Sequence, residues 1–434
     1  MTNEVAHTSF YGLGIAPGIL DVIDRMKFKT PTPIQYKSIP IAVEGKDVLG
    51  IAQTGTGKTL AFGIPMIQRL AQGPGRALIL VPTRELAMQV DETLRKLGQP
   101  FNIRSAIVIG GMNIKMQIQI LRKADTRVII ATPGRLLDHL EHKTVNAADI
   151  KMVVLDEADR MLDMGFAPQI QRIAKYLPKE RQTLFFSATM PEAILKIAAV
   201  YMKLPIRVEI ARSGAAPEKI VQELYIVRQE AKRQLLGKIL EQYHGSVLVF
   251  ARMKASAKKL AQALRQMNYS VNEIHSNRSL GQRREALEGF KTGRYRILVA
   301  TDIAARGIDV KGIELVVNFD LPDDSENYIH RIGRTGRAGR EGHAISFATP
   351  DQGGDIRDIE RLMKTSLKIS SHPEVPSENF SHSGHSGGSP KKRHFYRGSQ
   401  RQGGGGNSGG RPQFGGHSGH HQKKRFSRPP QRSF

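Results

Sequence analysis

The chain has 434 residues, of which 40% are hydrophobic, and its formal net charge is +25 at pH 7. This length favours two domains with an appended segment, and the absence of cysteine excludes disulfides, thiolate metal sites and thiol catalysis. A bound metal would therefore be a hard cation on oxygen ligands. The excess of Lys and Arg predicts a polyanionic partner, either nucleic acid or ribosomal particles. A basic surface that only favours solubility is the alternative.

Neither a membrane span nor a secretion signal is visible in the sequence. No stretch approaches the roughly 18 consecutive apolar residues of a membrane-spanning helix. The N-terminal residues 1–10 also lack the basic and apolar regions of a signal peptide. We therefore expect a cytoplasmic protein without a membrane span.

Short apolar runs follow one another in the first half of the chain and predict buried strands. Their apolar residues are continuous rather than alternating, which is typical of strands buried on both faces. Segments with helical spacing separate them, for example residues 83–99. Strands that alternate with helices predict an α/β fold in which helices cover a parallel sheet. The runs begin at Ala77, Ser105, Arg127, Met152 and Gln182.

A second set of predicted strands follows a stretch rich in small residues. Residues 211–219 contain Gly and Pro and resemble an interdomain linker. Beyond them, apolar runs beginning at Ser246, Arg296, Leu315 and His343 again alternate with helical segments. The predicted organisation is a first domain over residues 1–209, a linker over 210–219 and a second α/β domain over 220–370.

The composition changes abruptly at Ser371. Residues 371–434 contain 13 Gly, 11 Lys or Arg and two Glu, with almost no aliphatic side chains. Such a segment cannot bury enough apolar surface to offset its chain entropy, so we predict a disordered basic tail. Its aromatic rings can stack on bases while its cations meet phosphates. An inert solubilising tail is the alternative, and the irregular spacing of its histidines argues against a metal site.

The stretch AQTGTGKT, residues 52–59, indicates a phosphate site. It follows an apolar run and precedes a helical segment, which is the strand, loop and helix order of a P-loop. Glycine amides would hold phosphate oxygens, Lys58 would reach the β- and γ-phosphates, and the Thr59 hydroxyl would ligate Mg²⁺. The first residue is Ala52 rather than the Gly of the strict pattern. A chance Gly-rich turn is the alternative.

A second phosphate-site signal comes about a hundred residues later, where an apolar run ends in Asp156 and Glu157. An Asp at the carboxyl end of a buried strand can hold Mg²⁺, and a neighbouring Glu can orient and deprotonate a water. We therefore predict that Asp156 and Thr59 share one Mg²⁺ and that Glu157 acts on the attacking water. An ordinary pair of surface carboxylates is the alternative.

The segment HRIGRTGRAGR, residues 330–340, repeats arginine among glycines. Arginine can neutralise the charge that develops on a γ-phosphate during hydrolysis. Because this segment belongs to the second predicted domain, it would complete the site only when the two domains close. A solvated basic turn is the alternative.

Taken in order, these residues resemble the DEAD-box RNA helicases, and the run as a whole is most similar to their bacterial RhlE-type branch. The letters DEAD stand at residues 156–159, and the resemblance extends over roughly residues 10–349. It implies two RecA-like domains that close over ATP, Mg²⁺ and single-stranded RNA, with RNA-stimulated hydrolysis of ATP to ADP and phosphate. The predicted tail lies outside the resemblance.

The resemblance implies an adenine-binding Q motif at residues 28–35. Gln35 would hydrogen-bond adenine, Phe28 would pack on the base, and Phe10 would be the isolated upstream aromatic. Lys27 stands where the family usually has Gly, whereas Ala52 is what the family shows. The implied ATP residues are Phe10, Phe28, Gln35, Ala52, Gln53, Thr54, Gly55, Thr56, Gly57, Lys58, Thr59 and Asp309. The implied catalytic residues are Lys58, Asp156, Glu157, Arg334 and Arg337.

The resemblance also implies RNA contacts and coupling residues in both domains. The contacts would be to sugar and phosphate, so that binding is independent of base sequence. They are Pro82, Thr83, Arg84, Gly110, Gly111, Thr132, Pro133, Gly134, Arg135, Arg283, Thr301 and Arg306. The residues implied to couple hydrolysis to closure are Asp159, Ser187, Thr189, His330 and Arg331. Leu280 replaces the Gln of the family's Gln-x-x-Arg pattern that ends at Arg283.

The function implied by the resemblance is ATP-dependent separation of short RNA duplexes and remodelling of ribonucleoprotein. An ATP-gated RNA clamp or scaffold with little strand displacement is one alternative. A DNA-directed helicase of the same superfamily is another, against which the Q motif and the DEAD letters argue. We expect a monomer, with ribosome precursors or the RNA-degradation machinery as partners to consider.

Overall fold

The computed structural model describes residues 9–53, 55–210, 220–305, 310, 312–336 and 341–381. They form two α/β domains, called domain 1 and domain 2 below, each built on one seven-stranded sheet. The predicted linker residues 211–219 and the predicted tail residues 382–434 lie outside the described residues. None of the helices in the described ranges is both long and apolar enough to cross a membrane.

Domain 1 alternates strands with helices, as the apolar runs predict. Its helices are α1 (Pro17–Arg25), α2 (Pro33–Val43), α3 (Lys58–Gln72), α4 (Arg84–Gly98), α5 (Ile114–Leu121), α6 (Pro133–Glu141), α7 (Ala158–Asp163), α8 (Ala167–Ala174) and α9 (Glu192–Tyr201), with a 3₁₀ turn at Gln99–Phe101. Its strands are β1 (Val48–Ile51), β2 (Arg76–Leu80), β3 (Arg104–Val108), β4 (Thr126–Ala131), β5 (Ile150–Leu155), β6 (Gln182–Ser187) and β7 (Ile206–Glu209).

The domain 1 sheet has the strand order β3-β4-β2-β5-β6-β1-β7, and its described ladders are parallel. Both faces of the sheet are covered. In β2, Ala77 and Ile79 belong to one core cluster, and Leu78 and Leu80 belong to the cluster on the other face. This burial on two faces explains why the runs are continuously apolar and confirms the predicted α/β fold.

Domain 2 repeats this arrangement. Its strands are β8 (Ile220–Ile226), β9 (Val247–Phe250), β10 (Val271–Ile274), β11 (Ile297–Ala300), β12 (Leu315–Asn318), β13 (Gly342–Ala348) and β14 (Lys368–Ile369). Its helices are α10 (Lys232–Gln242), α11 (Lys254–Gln266), α12 (Leu280–Lys291), α13 (Asp302–Ala305), α14 (Ser325–Ile332) and α15 (Gly353–Met363), with a 3₁₀ turn at Pro350–Gln352.

The domain 2 sheet has the order β10-β11-β9-β12-β13-β8-β14, again with parallel ladders. The apolar runs did not reveal β8 and β10, because a charged residue interrupts each one. In β10 the interrupting residue is Glu273, which is 1% exposed and is held by Arg265 and Arg278. A buried carboxylate with two cationic partners is compatible with a strand, although its sequence is not apolar.

The end of domain 2 corrects the predicted start of the tail at Ser371. Residues 371–381, called the strap below, pack on domain 2 after β14. Val375 is 4% exposed and belongs to the core cluster beside β9. The Glu378 amide donates to the Ile226 carbonyl at 2.8 Å, and the Ser381 amide donates to the Pro350 carbonyl at 2.9 Å. The polar composition of the strap concealed one buried apolar anchor and its main-chain hydrogen bonds.

The predicted motifs lie at the carboxyl ends of strands. In domain 1, β1 leads into the P-loop, β2 into residues 82–84, β3 into residues 110–111, β4 into residues 132–135 and β5 into residues 156–159. In a parallel sheet these ends share one edge, which is where such sheets bind ligands. The fold therefore brings separate stretches of sequence to a single surface.

Candidate functional site

The P-loop connects β1 to α3. Gly57 is the N-cap of α3 with φ 88°, a left-handed conformation that a side chain would disfavour. Lys58 is 6% exposed, and its ammonium group donates a hydrogen bond to the Ala52 carbonyl at 3.0 Å. Thr56 closes the loop by donating its hydroxyl to the Gln53 carbonyl at 2.7 Å. Thr54 lies outside the described residues.

Gln35 joins the Q motif to the P-loop. Its amide oxygen accepts from the Thr32 amide at 2.9 Å, which caps α2, and its amide nitrogen donates to the Gly57 carbonyl at 2.9 Å. A Gln amide has two N–H donors and two acceptor lone pairs. Each end of Gln35 therefore keeps capacity for the predicted hydrogen bond to adenine while it holds the P-loop.

The two predicted aromatic residues have different environments. Phe28 is 41% exposed, so its ring is open to a stacking partner. Phe10 is 3% exposed and packs in the domain 1 core. A ring buried in this way would contribute to the nucleotide site through packing, and its assignment to that site stays a prediction.

Asp156 stands beside the P-loop in a buried position. Its carboxylate oxygen lies 3.9 Å from Lys58 Nζ and accepts from the Glu157 amide at 3.0 Å. Burial raises the pKa of Asp156 to about 6, although Lys58 opposes this shift. A cation placed here would favour the ionised form.

The residues of this region fit Mg²⁺. Asp156 and the hydroxyl of Thr59, the second residue of α3, supply the oxygen donors that this hard cation prefers. Within the described ranges, no cluster of three or more His, Cys, Asp or Glu side chains could hold a metal. Mg²⁺ typically keeps water and substrate phosphates as its remaining ligands, so one carboxylate and one hydroxyl suffice.

Glu157 is held in a strained and strongly cationic setting. It has φ 54° at the N-cap of α7, and its carboxylate accepts from Arg160 Nη1 at 2.8 Å. Burial opposes ionisation, but the charges of Arg160, Lys58 and Arg334 outweigh it and hold the pKa of Glu157 below its ordinary value. A left-handed non-Gly residue of this kind is typical of a functional site. Glu157 is therefore a carboxylate kept ionised.

Asp159 contacts the SAT segment. One carboxylate oxygen accepts from the amides of Ala188 at 3.0 Å and Thr189 at 2.9 Å, and from the Thr189 hydroxyl at 3.1 Å. The Asp159 amide donates to the Ser187 hydroxyl at 3.2 Å. The structure thus brings together the three residues that the resemblance assigns to coupling in domain 1.

Arg334 of domain 2 lies near the carboxylates of domain 1. It is 4% exposed, its Nε donates to the His330 carbonyl at 3.2 Å, and its charge lowers the pKa of Glu157. The site therefore draws on both domains. Arg337 and Asp309 lie outside the described residues.

Arg331, predicted as a coupling residue, lies inside domain 2. Its guanidinium makes a two-pronged ion pair with Asp302, with both contacts at 2.6 Å. It also donates to Asn318 Oδ1 at 3.2 Å and to the Asp320 carbonyl at 2.6 Å, and it lies over the Phe250 ring. These contacts join the ends of β9, β11 and β12 to α14, so Arg331 fixes the helix that precedes Arg334.

Predicted RNA residues of domain 1 meet around Gly110 and Gly111. Thr83 caps α4 by accepting from the Leu86 amide at 3.2 Å. The Arg84 guanidinium lies against the glycine pair, 3.3 Å from where a Cβ on Gly110 would stand. Arg135 Nη1 donates to the Met112 carbonyl at 3.1 Å. Pro82 is buried, whereas Thr132 and Gly134 are partly exposed on either side of the buried Pro133.

The predicted RNA residues of domain 2 are described only in part. Arg283 makes an ion pair at 2.8 Å with Glu85 of domain 1, and the two side chains are 9% and 1% exposed. Burial raises the pKa of Glu85 despite the charge of Arg283. Thr301 is 9% exposed and follows β11, while Arg306 lies outside the described residues. Through this ion pair, Arg283, which is predicted to bind RNA, contacts α4 of domain 1.

Sequence reasoning missed three partners of the predicted residues. Arg160 pairs with Glu157, Glu85 with Arg283, and Asp302 with Arg331. Arg160 could have been found, because it stands three residues after Glu157 at the start of a helix. Glu85 and Asp302 are distant in sequence from their partners and leave no local signal.

Comparisons with known proteins agree with this geometry. The family model "DEAD/DEAH box helicase" matches residues 32–197, and the model "Helicase conserved C-terminal domain" matches residues 231–339. The DEAD-box ATP-dependent RNA helicase CshA of Geobacillus kaustophilus is 43% identical over 85% of this chain and 79% of its own length. The ATP-dependent rRNA helicase RRP3 of Candida albicans is also 43% identical, over 80% of this chain and 65% of its own length.

Solved structures give the same result. Dbp5 of S. cerevisiae, bound to RNA and ADP BeF3, is similar with a TM-score of 0.76 and 32% identity over 84% of this chain and 95% of that one. Mss116p, bound to ssRNA and AMP-PNP, has a TM-score of 0.76 and 29% identity over 83% of this chain and 78% of that one. The chain has two RecA-like domains and belongs to the DEAD-box family of ATP-dependent RNA helicases.

Proposed function

We propose that the chain binds ATP between its two domains, closes on single-stranded RNA and uses hydrolysis to reset, thereby separating short duplexes and remodelling ribonucleoprotein. The observation that carries this proposal is that Arg334 of domain 2 lies near enough to Glu157 of domain 1 for its charge to lower the pKa of that carboxyl. A nucleotide site drawn from both domains is complete only while they are together. RNA bound across both domains would therefore stimulate hydrolysis.

In the proposed mechanism Glu157 accepts a proton from the water that attacks the γ-phosphate of ATP. The products are ADP and phosphate. Lys58 and Arg334 neutralise the charge that develops on the transferred group. Arg160 orients the carboxylate of Glu157 through its contact at 2.8 Å. Thr59 and Asp156 would hold Mg²⁺, which neutralises phosphate charge when bound.

Closure would be transmitted by the hydrogen bonds of Asp159 with Ser187 and Thr189. These bonds connect the carboxyl ends of β5 and β6 directly behind Glu157. In domain 2, the position of Arg334 depends on α14, which Arg331 fixes through Asp302. The two sets of contacts would make hydrolysis depend on the relative position of the domains.

RNA would be held by its backbone. The loop amides at Gly110 and Gly111 and the guanidinium groups of Arg84 and Arg135 can meet sugar and phosphate without reading base edges. The net charge of +25 would favour binding to any RNA. The family resemblance assigns the ATP contacts to Phe28 and Gln35, of which Gln35 donates to the Gly57 carbonyl of the P-loop.

The finer assignments belong to the same proposal. We place the chain in the RhlE-type branch on its motif run, although the bacterial relative compared above carries the CshA name. A monomer in the cytoplasm is the simplest state. The name of the Candida albicans relative, an rRNA helicase, supports ribosome precursors as targets. RNA-degradation complexes are the second partner class.

The variant Glu157→Gln tests the catalytic assignment. It should keep ATP and RNA binding and reduce RNA-stimulated ATP turnover by about a hundredfold or more, as expected for loss of a general base. Glu180→Gln, at a side chain that is 91% exposed and pairs with Lys203, is the matched control. Wild-type turnover in Glu157→Gln would refute the role of Glu157. Strand displacement on a short RNA duplex decides the output, since RNA-stimulated turnover without displacement indicates a clamp.

A further inference from the structure

The loop of residues 109–113, called the GG loop below, is held on both sides of its glycine pair. Before the pair, the Ile109 carbonyl accepts from Gln117 Nε2 at 2.9 Å. After it, the Met112 carbonyl accepts from Arg135 Nη1 at 3.1 Å. Gly111 has φ 83°, so this backbone has a conformational freedom that most residues lack. The side chains of Gln117 and Arg135 therefore help to fix the position of the loop.

Gln117 lies on α5 and is itself held by a buried histidine of α6. Gln117 and His139 are 1% and 0% exposed. His139 Nε2 lies 3.1 Å from Gln117 Oε1, and His139 Nδ1 lies 2.7 Å from the Thr144 hydroxyl. A continuous chain of polar contacts therefore runs from Thr144 through His139 and Gln117 to the Ile109 carbonyl.

The donors and acceptors of this chain have one consistent order. Because the Gln117 nitrogen faces a carbonyl, its oxygen faces His139, and Nε2 must carry a proton. Burial and the nearby charge of Arg135 lower the pKa of His139, against a smaller effect of Asp138, so the ring is neutral near pH 7. Nδ1 is then an acceptor 2.7 Å from the Thr144 hydroxyl, whose single proton is shared with the His139 carbonyl at 3.0 Å. The order leaves Gln117 one orientation, in which it donates to the GG loop.

We propose that His139 and Gln117 form a positioning pair that sets the GG loop for RNA binding and so determines RNA affinity without either side chain touching RNA. The inference rests on the proposed RNA contacts of Gly110 and Gly111. It adds residues of α5 and α6 that the motif pattern does not include. A loop released at the Ile109 carbonyl would sample other conformations, and RNA binding would have to select the competent one.

The direct test is Gln117→Met, which keeps the length of the side chain and removes its hydrogen bonds. Loss of one buried hydrogen bond corresponds to about a threefold to tenfold weaker equilibrium. We expect the RNA concentration for half-maximal ATPase to rise by this factor, with the maximal rate within about twofold of wild type. Amide hydrogen exchange of the GG loop, measured without RNA or ATP, should become faster by a similar factor.

Gln68→Met is the matched control. Gln68 is also a buried glutamine of domain 1, 8% exposed, and it accepts from the Ala16 amide and donates to the Gly14 carbonyl. The Gln68→Met variant should lower the unfolding temperature about as much as Gln117→Met does. It should leave the half-saturating RNA concentration and the amide exchange of the GG loop unchanged. Equal effects of the two variants on these readouts would overturn the proposal, because the loss would then be general destabilisation.

The two readouts separate the pair from the proposed RNA role of the loop. Unchanged exchange in Gln117→Met overturns the positioning pair. Faster exchange with unchanged RNA half-saturation supports a hold on the loop but overturns its role in RNA affinity, and with it that part of the proposed function. If Gln117→Met does not fold, Thr144→Val replaces it, with Thr144→Ser as the variant that keeps the hydroxyl. If the half-saturating RNA concentration rises in Thr144→Val but not in Thr144→Ser, the positioning pair is supported. If the two variants have equal half-saturating RNA concentrations, the pair is overturned.

Discussion

Val375 is the residue on which the attachment of the strap most depends. It is the buried anchor of residues 371–381, a segment whose composition predicts disorder, and it packs in the domain 2 core at 4% exposure. Replacement by Ala removes two methyl groups from that core. We therefore expect Val375→Ala to destabilise domain 2, although the residue lies beyond the last long helix.

The magnitude follows from the burial. Each buried methyl group contributes about 0.8 kcal/mol, and the cavity left behind adds to the loss, so the free energy of unfolding should fall by about 2 kcal/mol. For a domain of this size that loss lowers the unfolding temperature by roughly 4–8 °C. Val221, on β8 of the same domain, is 49% exposed. Val221→Ala should change the free energy by less than about 0.5 kcal/mol.

Differential scanning calorimetry of the full chain and of both variants measures this difference. The shift should appear in the transition of domain 2, and it should be absent from Val221→Ala. Deletion after Ile369 should lower the same transition by at least as much as Val375→Ala, whereas deletion after Ser381 should leave it unchanged. If domain 2 unfolds at the same temperature in Val375→Ala as in Val221→Ala, detachment of the strap does not lower the free energy of unfolding, and the reasoning from burial is refuted.

Two further predictions concern RNA. Deletion of residues 382–434 removes 11 Lys and Arg residues and leaves the strap in place. The RNA affinity of this variant, measured by fluorescence anisotropy, should fall most at low salt, while its maximal ATP turnover should stay near wild type. Affinity that is unchanged at every salt concentration would leave the tail as a solubility device. Glu85→Gln and Arg283→Gln should each raise the RNA concentration for half-maximal ATPase. The loss in the double variant should be smaller than the sum of the two single losses by about 1–3 kcal/mol, because the two side chains form one buried pair. Additive losses would show that the ion pair does not contribute to RNA-stimulated closure.

Much of the fold could be predicted because it is local in the sequence. Strands such as β2 and β5 are buried on both faces and therefore read as uninterrupted apolar runs. The P-loop is equally local, since strand, glycine loop and helix are consecutive from Val48 to Gln72. The same reasoning did not predict the strap, because Val375 and the partly buried Phe380 stand apart among polar residues and form no periodic pattern.

The sequence by itself determined the alternation of strands with helices, the two-domain organisation and the chemical types of the residues at the carboxyl edge of each sheet. Only the tertiary structure decided which of them meet. The charge of Arg334 acts on Glu157, Arg283 pairs with Glu85, and Gln117 donates to the Ile109 carbonyl of the GG loop while His139 contacts its oxygen. The physical reason is that these contacts join residues brought close by sheet topology and by the approach of two domains. No local periodicity encodes either one.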